Sequence, residues 1–283
     1  MLVLGAGTPC AVAQEADATA SPPDWAGDLG FAAGNAAVGG LAAGIVRSLR
    51  GDAFWPAFRD GALGGALSYG GRRVAAAGFD GAGFLGREIG AVGTSIVRNA
   101  LHGVPVLERV VLPLGPLRLH VGPRPGSASA RTTWIALDLP TILASTYFAL
   151  RSDTEFRLGA SLSAGAPVFE SHVRWADGYW AGTQAAGVIW LRGNPDDPSP
   201  DAERSAAFAH ERVHVLQYDF AMLLSEPVEA WLATRARGGA WLDRHVDFGF
   251  QLIPWEVANR TLPYHLRPWE QEAWFLSGVR AAR

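Results

Sequence analysis

His210 and His214 stand four positions apart in the run Ala207-Phe208-Ala209-His210-Glu211-Arg212-Val213-His214-Val215-Leu216-Gln217, and no other feature restricts this chain more. Residues at that spacing lie one above the other on one face of an α-helix, so both imidazoles can reach a single ion at a Zn–N distance of about 2.0–2.1 Å. Glu211 lies about 100° around the helix from His210, where its carboxylate can hold a water on the ion rather than the ion itself. The preceding run, Pro195-Asp196-Asp197-Pro198-Ser199-Pro200, is turn-rich. Ser199 or Asp201 can cap the helix that follows, and Ala206, Phe208, Val213, Leu216 and Phe220 supply helix-forming and apolar positions. The motif therefore falls within a helix. His210 and His214 become candidate Zn²⁺ ligands, and Glu211 a candidate general base.

Composition narrows the ligand set. Cys10 is the single cysteine, which rules out an intrachain disulfide and a multi-thiolate metal site, so any zinc must be held mainly by histidine and carboxylate. A net charge of −3 argues against nucleic acid as a partner. All 24 basic side chains are arginine, and with the abundant Ala and Gly this fits a GC-rich coding bias and a bacterial source. Residues 1–13 form a short apolar run ending Ala11-Val12-Ala13, with small residues where a signal peptidase cuts, although the usual basic start is missing. Residues 1–23 read as a signal peptide and polar leader, giving a secreted or periplasmic, envelope-associated protein.

Residues 24–104 have a texture of their own. Glycines recur, many of them three or four positions apart, among Ala, Val, Leu and Ile, and residues 29–46 carry no charge. Small residues at these spacings let helix backbones approach closely, as in membrane helix pairs, and glycine's cost of about 1 kcal/mol per helical position must be offset by tight packing or by lipid. This region reads as a helical glycine zipper that associates with a membrane. Within it Gly81-Ala82-Gly83-Phe84-Leu85-Gly86 matches GxGxxG, but the preceding stretch is Ala-rich rather than strand-like, so nucleotide binding is not expected. Residues 105–283 form the second unit. Short apolar runs over 107–114, 117–121, 132–137, 155–158, 167–169 and 186–191, with a helix over 140–150, make a small, mainly antiparallel sheet before the motif helix. Beyond Phe220 the chain is helical and Trp-rich, with helices over 226–237 and 268–280. The fold class is α+β.

Tetrahedral zinc with two histidines needs a third protein ligand plus water. Glu226 and Glu229 are the near candidates, Glu270 and Glu272 the distant ones. The motif resembles the signature of zincin metallopeptidases, and position 220 is Phe, which sets aside the branch with a third His or Asp six residues on. The gluzincin branch takes a Glu from a later helix; its long-spaced members, including integral-membrane prenyl-protein peptidases, use Glu-x-x-Ala-Asp. Glu270-Gln271-Glu272-Ala273 fits the first four positions, so the resemblance puts Glu270 first, with Glu229, Glu226 and Glu272 as alternatives. Trp274 stands where that pattern has Asp, the acid that orients a ligand histidine. The run from His210 to Gln217 also looks like the zincin-like domain of proteins associated with contractile injection systems; that likeness covers roughly residues 185–220 and the Glu270 helix.

The resemblance implies a zinc-dependent hydrolase acting on a peptide or protein, with Tyr264 and His265 as candidate oxyanion stabilisers and an edge strand over 186–191 beside the cleft. Arg212 departs from it, since that position is usually apolar, and a turn toward solvent or substrate is expected. Arg212 and Trp274 together favour the alternative, a catalytically inactive zincin-fold protein that serves envelope or membrane interactions.

Overall fold

The computed structural model describes residues 24–123, 131–171, 181–192, 200–224, 235, 241, 245–248 and 252–278. The leader over 1–23 lies outside them, as do Glu226, Glu229 and nearly all of the helix expected over 226–237. The fold is α+β.

Three helices come first: α1 (Trp25–Leu49), α2 (Phe54–Ala75) and α3 (Ala82–His102). Asp24 caps α1 by accepting from the Gly27 amide at 3.0 Å, and Gly103, at φ +68°, ends α3 in the left-handed conformation that glycine adopts without strain. The glycine spacing works as close packing. A Cβ on Gly71 would stand 2.7 Å from the Gly90 Cα, and one on Gly39 would run into the Gly61 carbonyl. The same packing leaves one side of α1 bare: Val38, Leu41, Ile45 and Leu49 are all exposed on one face, and Trp25 and Leu29 are exposed in its first two turns. By length and composition α1 can cross a membrane, and only 22% of its most apolar 18-residue window is buried. Gly81 follows helix α2 and a turn rather than a strand, so the GxGxxG run has no nucleotide-binding context.

The strands make two four-stranded sheets, each mainly antiparallel with one parallel pair. β1 (Val110–Leu114), β2 (Leu117–Pro123) and β3 (Arg131–Asp138) form a meander, and β8 (Val246–Asp247) pairs in parallel with β3. In the second sheet the order is β4 (Thr154–Phe156), β5 (Val168–Ser171), β7 (Val188–Arg192), β6 (Ala181–Ala185). Helix α4 (Leu139–Ala149) follows β3, capped by the Asp138 carboxylate on the Thr141 amide, and the short α5 (Leu158–Ala164) separates β4 from β5.

Strand alternation explains how the second sheet is held. Ile189 and Leu191 of β7, with Val168 of β5, pack with Ala207, Val215 and Leu216 of the motif helix α6 (Pro200–Ala221). Val188 and Trp190 point the other way, onto Ala144 and Phe148 of α4. The sheet thus lies between α6 and α4. One expectation is corrected here: the strand over 186–191 is inner, because β7 pairs with β5 on one side and β6 on the other. The edge beside α6 is β6, Ala-Gly-Thr-Gln-Ala, whose small and polar residues gave no strand signal. It is set by a two-residue hairpin at Ala186 and Gly187, both at positive φ (49° and 78°), as a type I′ turn requires. After α6, a short 3₁₀ turn (Met222–Leu224), α7 (Leu252–Thr261), a second 3₁₀ turn (Tyr264–Leu266) and α8 (Pro268–Ser277) bring the chain back over the motif helix.

A candidate metal centre between the motif helix and the last helix

Helix α6 places the two histidines on the face covered by α8. Their Nε2 atoms are 2.9 Å apart, and Glu270 Oε2, from the first turn of α8, is 3.2 Å from His214 Nε2 and 3.3 Å from His210 Nε2. With ion–ligand distances of about 2.0–2.1 Å, adjacent ligands of a tetrahedral ion stand about 3.3 Å apart, so this triangle nearly matches one face of the tetrahedron. Such an ion would be held by His210, His214 and Glu270 and would take one further ligand to reach four-coordination. His210, His214 and Glu270 are buried and can hold a metal ion. Among the described residues they form the single group of His, Cys, Asp and Glu with this convergence.

Burial, reinforced by the adjacent His214, pushes His210 down to about 4, so its ring is neutral and keeps a lone pair. Burial also opposes charge on His214, but Glu270, Glu211 and Gln217 together outweigh it and pull His214 up to about 9. Burial works against ionisation of Glu270 as well, and the two imidazoles more than compensate, holding it below the usual carboxylate range. Glu211 is the outlier of the cluster. Buried to 2% exposure, with its Oε2 unpartnered, it is pushed up to about 8 mainly by desolvation, with Glu270 adding to the shift and His214 opposing it. It faces the edge strand: a Cβ on Gly182 of β6 would lie 2.7 Å from Glu211 Oε1. Only glycine lets the strand backbone come this close to that carboxylate.

The remaining sequence candidates divide cleanly. Tyr264 touches the cluster, its hydroxyl donating to Glu270 Oε2 at 2.9 Å. His265 is exposed, and among the described residues its recorded contact is a backbone one, the carbonyl accepting from the Gln271 side chain at 3.1 Å. Glu272 is no ligand; it points away from the triangle and pairs with Arg72 at 2.9 Å inside the protein. Arg212 turns toward neither solvent nor substrate. It is 6% exposed, donates to the Ala77 carbonyl at 3.0 Å and lays its guanidinium 5.0 Å from the centre of the Phe208 ring, against the α2–α3 turn.

Support for His214 does not need an acid at position 274. The His214 Nδ1–H donates to Gln217 Oε1 at 2.7 Å, three residues on along the same helix. Trp274 instead flanks the site, its ring 6.5 Å from that of His210 and 5.3 Å from that of Tyr264. Gly182 and Gln217 are the positions whose roles sequence reasoning did not assign. Gln217 lies one turn from His214, a spacing that could have flagged it; Gly182 had no comparable signal.

A second buried polar cluster occupies another face of α6. Arg87 donates to both oxygens of Asp219 (2.6 and 3.1 Å), and Arg118 reaches Asp138 at 2.6 Å, Asp219 at 3.3 Å and Asp247 at 3.4 Å. It ties α3, strands β2, β3 and β8 of the first sheet, and α6 together. Comparison with protein-family models, with curated proteins and with solved structures finds no match for the chain.

Proposed function

We propose that this chain is a zinc-dependent hydrolase, with peptides or proteins as substrates. The observation that carries the reading is the convergence of His210 Nε2, His214 Nε2 and Glu270 Oε2, 2.9–3.3 Å apart, beside a buried carboxyl group at Glu211 whose Oε2 has no partner among the described residues. Two imidazoles and one carboxylate are the donor set of many catalytic zinc sites, and the lack of a thiolate cluster in this chain agrees with it.

A bound Zn²⁺ supplies Lewis acidity, polarising the scissile carbonyl and bringing the pKa of a coordinated water toward about 7. Glu211 then accepts the proton of the attacking water and passes it to the leaving amine. Its burial suits both halves of that duty, since a carboxyl group titrating near neutrality can take a proton and release it. Tyr264, held on Glu270, fixes the carboxylate that completes the ligand set. Strand β6 supplies a binding edge: among the described residues it pairs only with β7, so an extended peptide can add to its other side, next to Glu211. The location that fits is the bacterial envelope or beyond it, with membrane contact through the bare face of α1; flotation of the protein with lipid vesicles, lost when Leu41 and Ile45 are changed to Glu, tests that part.

The decisive substitution is Glu211→Gln. Hydrolysis of an unstructured protein substrate by the zinc-loaded enzyme should fall about 10²–10⁴-fold, with zinc content unchanged. Wild-type turnover in that variant would contradict the reading. A second reading, a zincin-like fold kept for envelope interactions without catalysis, draws on the burial of the site, where His210 is 1% and Glu211 2% exposed. It expects zinc with no exchangeable water and no difference between wild type and Glu211→Gln.

A further inference from the structure

Behind His214 runs a chain of hydrogen bonds whose donor directions are all forced. Arg72 of α2 and Asn35 of α1 both donate to Glu272, at 2.9 Å to Oε2 and 2.8 Å to Oε1, and Arg72 also donates to Asn35 Oδ1 at 2.6 Å. An ionised carboxylate only accepts, so the Gln217 group facing Glu272 Oε2 at 2.8 Å must be its NH₂, which also donates to the Trp269 carbonyl at 3.0 Å. That leaves Gln217 Oε1 turned toward His214, and an amide oxygen only accepts as well. The proton on the proximal ring nitrogen is therefore required to be at Nδ1, so that the neutral ring, the form that binds a metal, has its lone pair at Nε2, the nitrogen that faces His210 and Glu270.

We infer that Arg72, Glu272 and Gln217 are positioning residues for the metal centre, a relay through which the glycine-zipper helices dictate the tautomer of His214. This deepens the proposed function and rests on the reading of His214 as a ligand. It gives the N-terminal helices a chemical role: Arg72 and Asn35 come from α2 and α1, 200 and 237 residues from Glu272, and reach it because close glycine contacts bring those helices under α8. The side chains involved are buried, Arg72 at 3%, Gln217 at 4% and Glu272 at 5% exposure, so water does not substitute for a missing member. Partners that orient a ligand histidine carry about 10–100-fold in metal affinity.

The test is zinc affinity of the full chain, by competition with a chromophoric chelator, together with the proton resonance of the His214 Nδ1–H. Glu272→Gln lets the amide at 217 flip, and affinity should fall about 10–100-fold with loss of the slowly exchanging Nδ1–H signal. Gln217→Met leaves the Arg72–Glu272 pair intact and should do the same, so the result does not depend on tolerance of a broken ion pair. A folded Gln217→Met variant that binds zinc as tightly as wild type with the resonance unchanged would overturn the relay while leaving the ligands standing. Wild-type protein that binds no zinc would overturn both.

Discussion

On one face of α6, Asp219 accepts from Arg87 and Arg118, and Arg118 continues to Asp138 and Asp247; on another, His210, His214 and Glu270 direct two imidazole nitrogens and a carboxylate oxygen at one point. Both clusters are buried and both lie on the same helix. In the first, cations and anions alternate, so each carboxylate lies beside a guanidinium and the group holds itself together. In the second, two imidazole nitrogens and a carboxylate oxygen crowd one point, and Glu211 beside them has an Oε2 with no partner among the described residues. Burying polar groups without partners costs stability, and such an arrangement is explicable where a ligand completes it. The contrast separates a cluster that serves the fold from one that can hold a cation.

The same chemical change, carboxylate to amide, should therefore have opposite consequences at two positions eight residues apart. Asp219→Asn leaves two buried guanidiniums short of charge and should cost about 3–5 kcal/mol in chemical denaturation. Glu211→Gln replaces a strained buried acid and should leave the zinc-free protein as stable as before or slightly more so. Equal losses at both would erase the comparison. Acid titration sharpens it. Burial opposes ionisation of Asp219, but Arg87 and Arg118 outweigh burial and hold its folded pKa below that of a free aspartate, so its contribution is complete above the ordinary carboxylate range. That contribution disappears as pH drops below about 4 toward the depressed value, and Asp219→Asn should flatten that limb of the stability curve.

Next in size is zinc itself. At a free concentration 1,000 times its Kd, the ion should add about 4 kcal/mol of stability to wild type and none to His214→Ala, which a thermal shift with and without chelator would register. Gly182→Ala should leave zinc bound but push Glu211 from the edge strand, lowering turnover by about 10-fold or more, since small displacements of a catalytic group are amplified in rate. The smallest effect is expected at Arg212. Its one described hydrogen bond goes to Ala77, far from the ligands, so Arg212→Met should cost about 1 kcal/mol with zinc and turnover unaffected.

Features carried by short spacing were legible in the sequence. The helix through His210 and His214 follows from a four-residue interval, the close-packed helices from recurrent glycine, and Glu270 from a four-residue likeness near Trp274. Features decided by distant partners were not. Strand β6 is Ala-Gly-Thr-Gln-Ala, with none of the branched residues that announce a strand, and it owes its place to pairing with β7 and to the approach of Glu211. Position within a sheet is equally hidden, which is why the run over 186–191 could be recognised as a strand but not as an inner one. Arg212 looked solvent-facing because charge usually is; its long side chain instead finds the Phe208 ring and the Ala77 carbonyl, 135 residues away. Likewise Trp274 gives no sign of where support for His214 comes from; in the fold Gln217 accepts from that ring and is held in turn by Glu272 and Arg72.

The central claim is that three side chains from two helices hold one zinc ion. Metal analysis of the purified chain combined with zinc K-edge absorption tests it directly. The account predicts one zinc per chain with nitrogen and oxygen neighbours at about 2.0–2.1 Å and no sulfur, lost in His210→Ala. A chain without stoichiometric metal, or a His210→Ala variant that keeps its full complement in the same coordination, would contradict it.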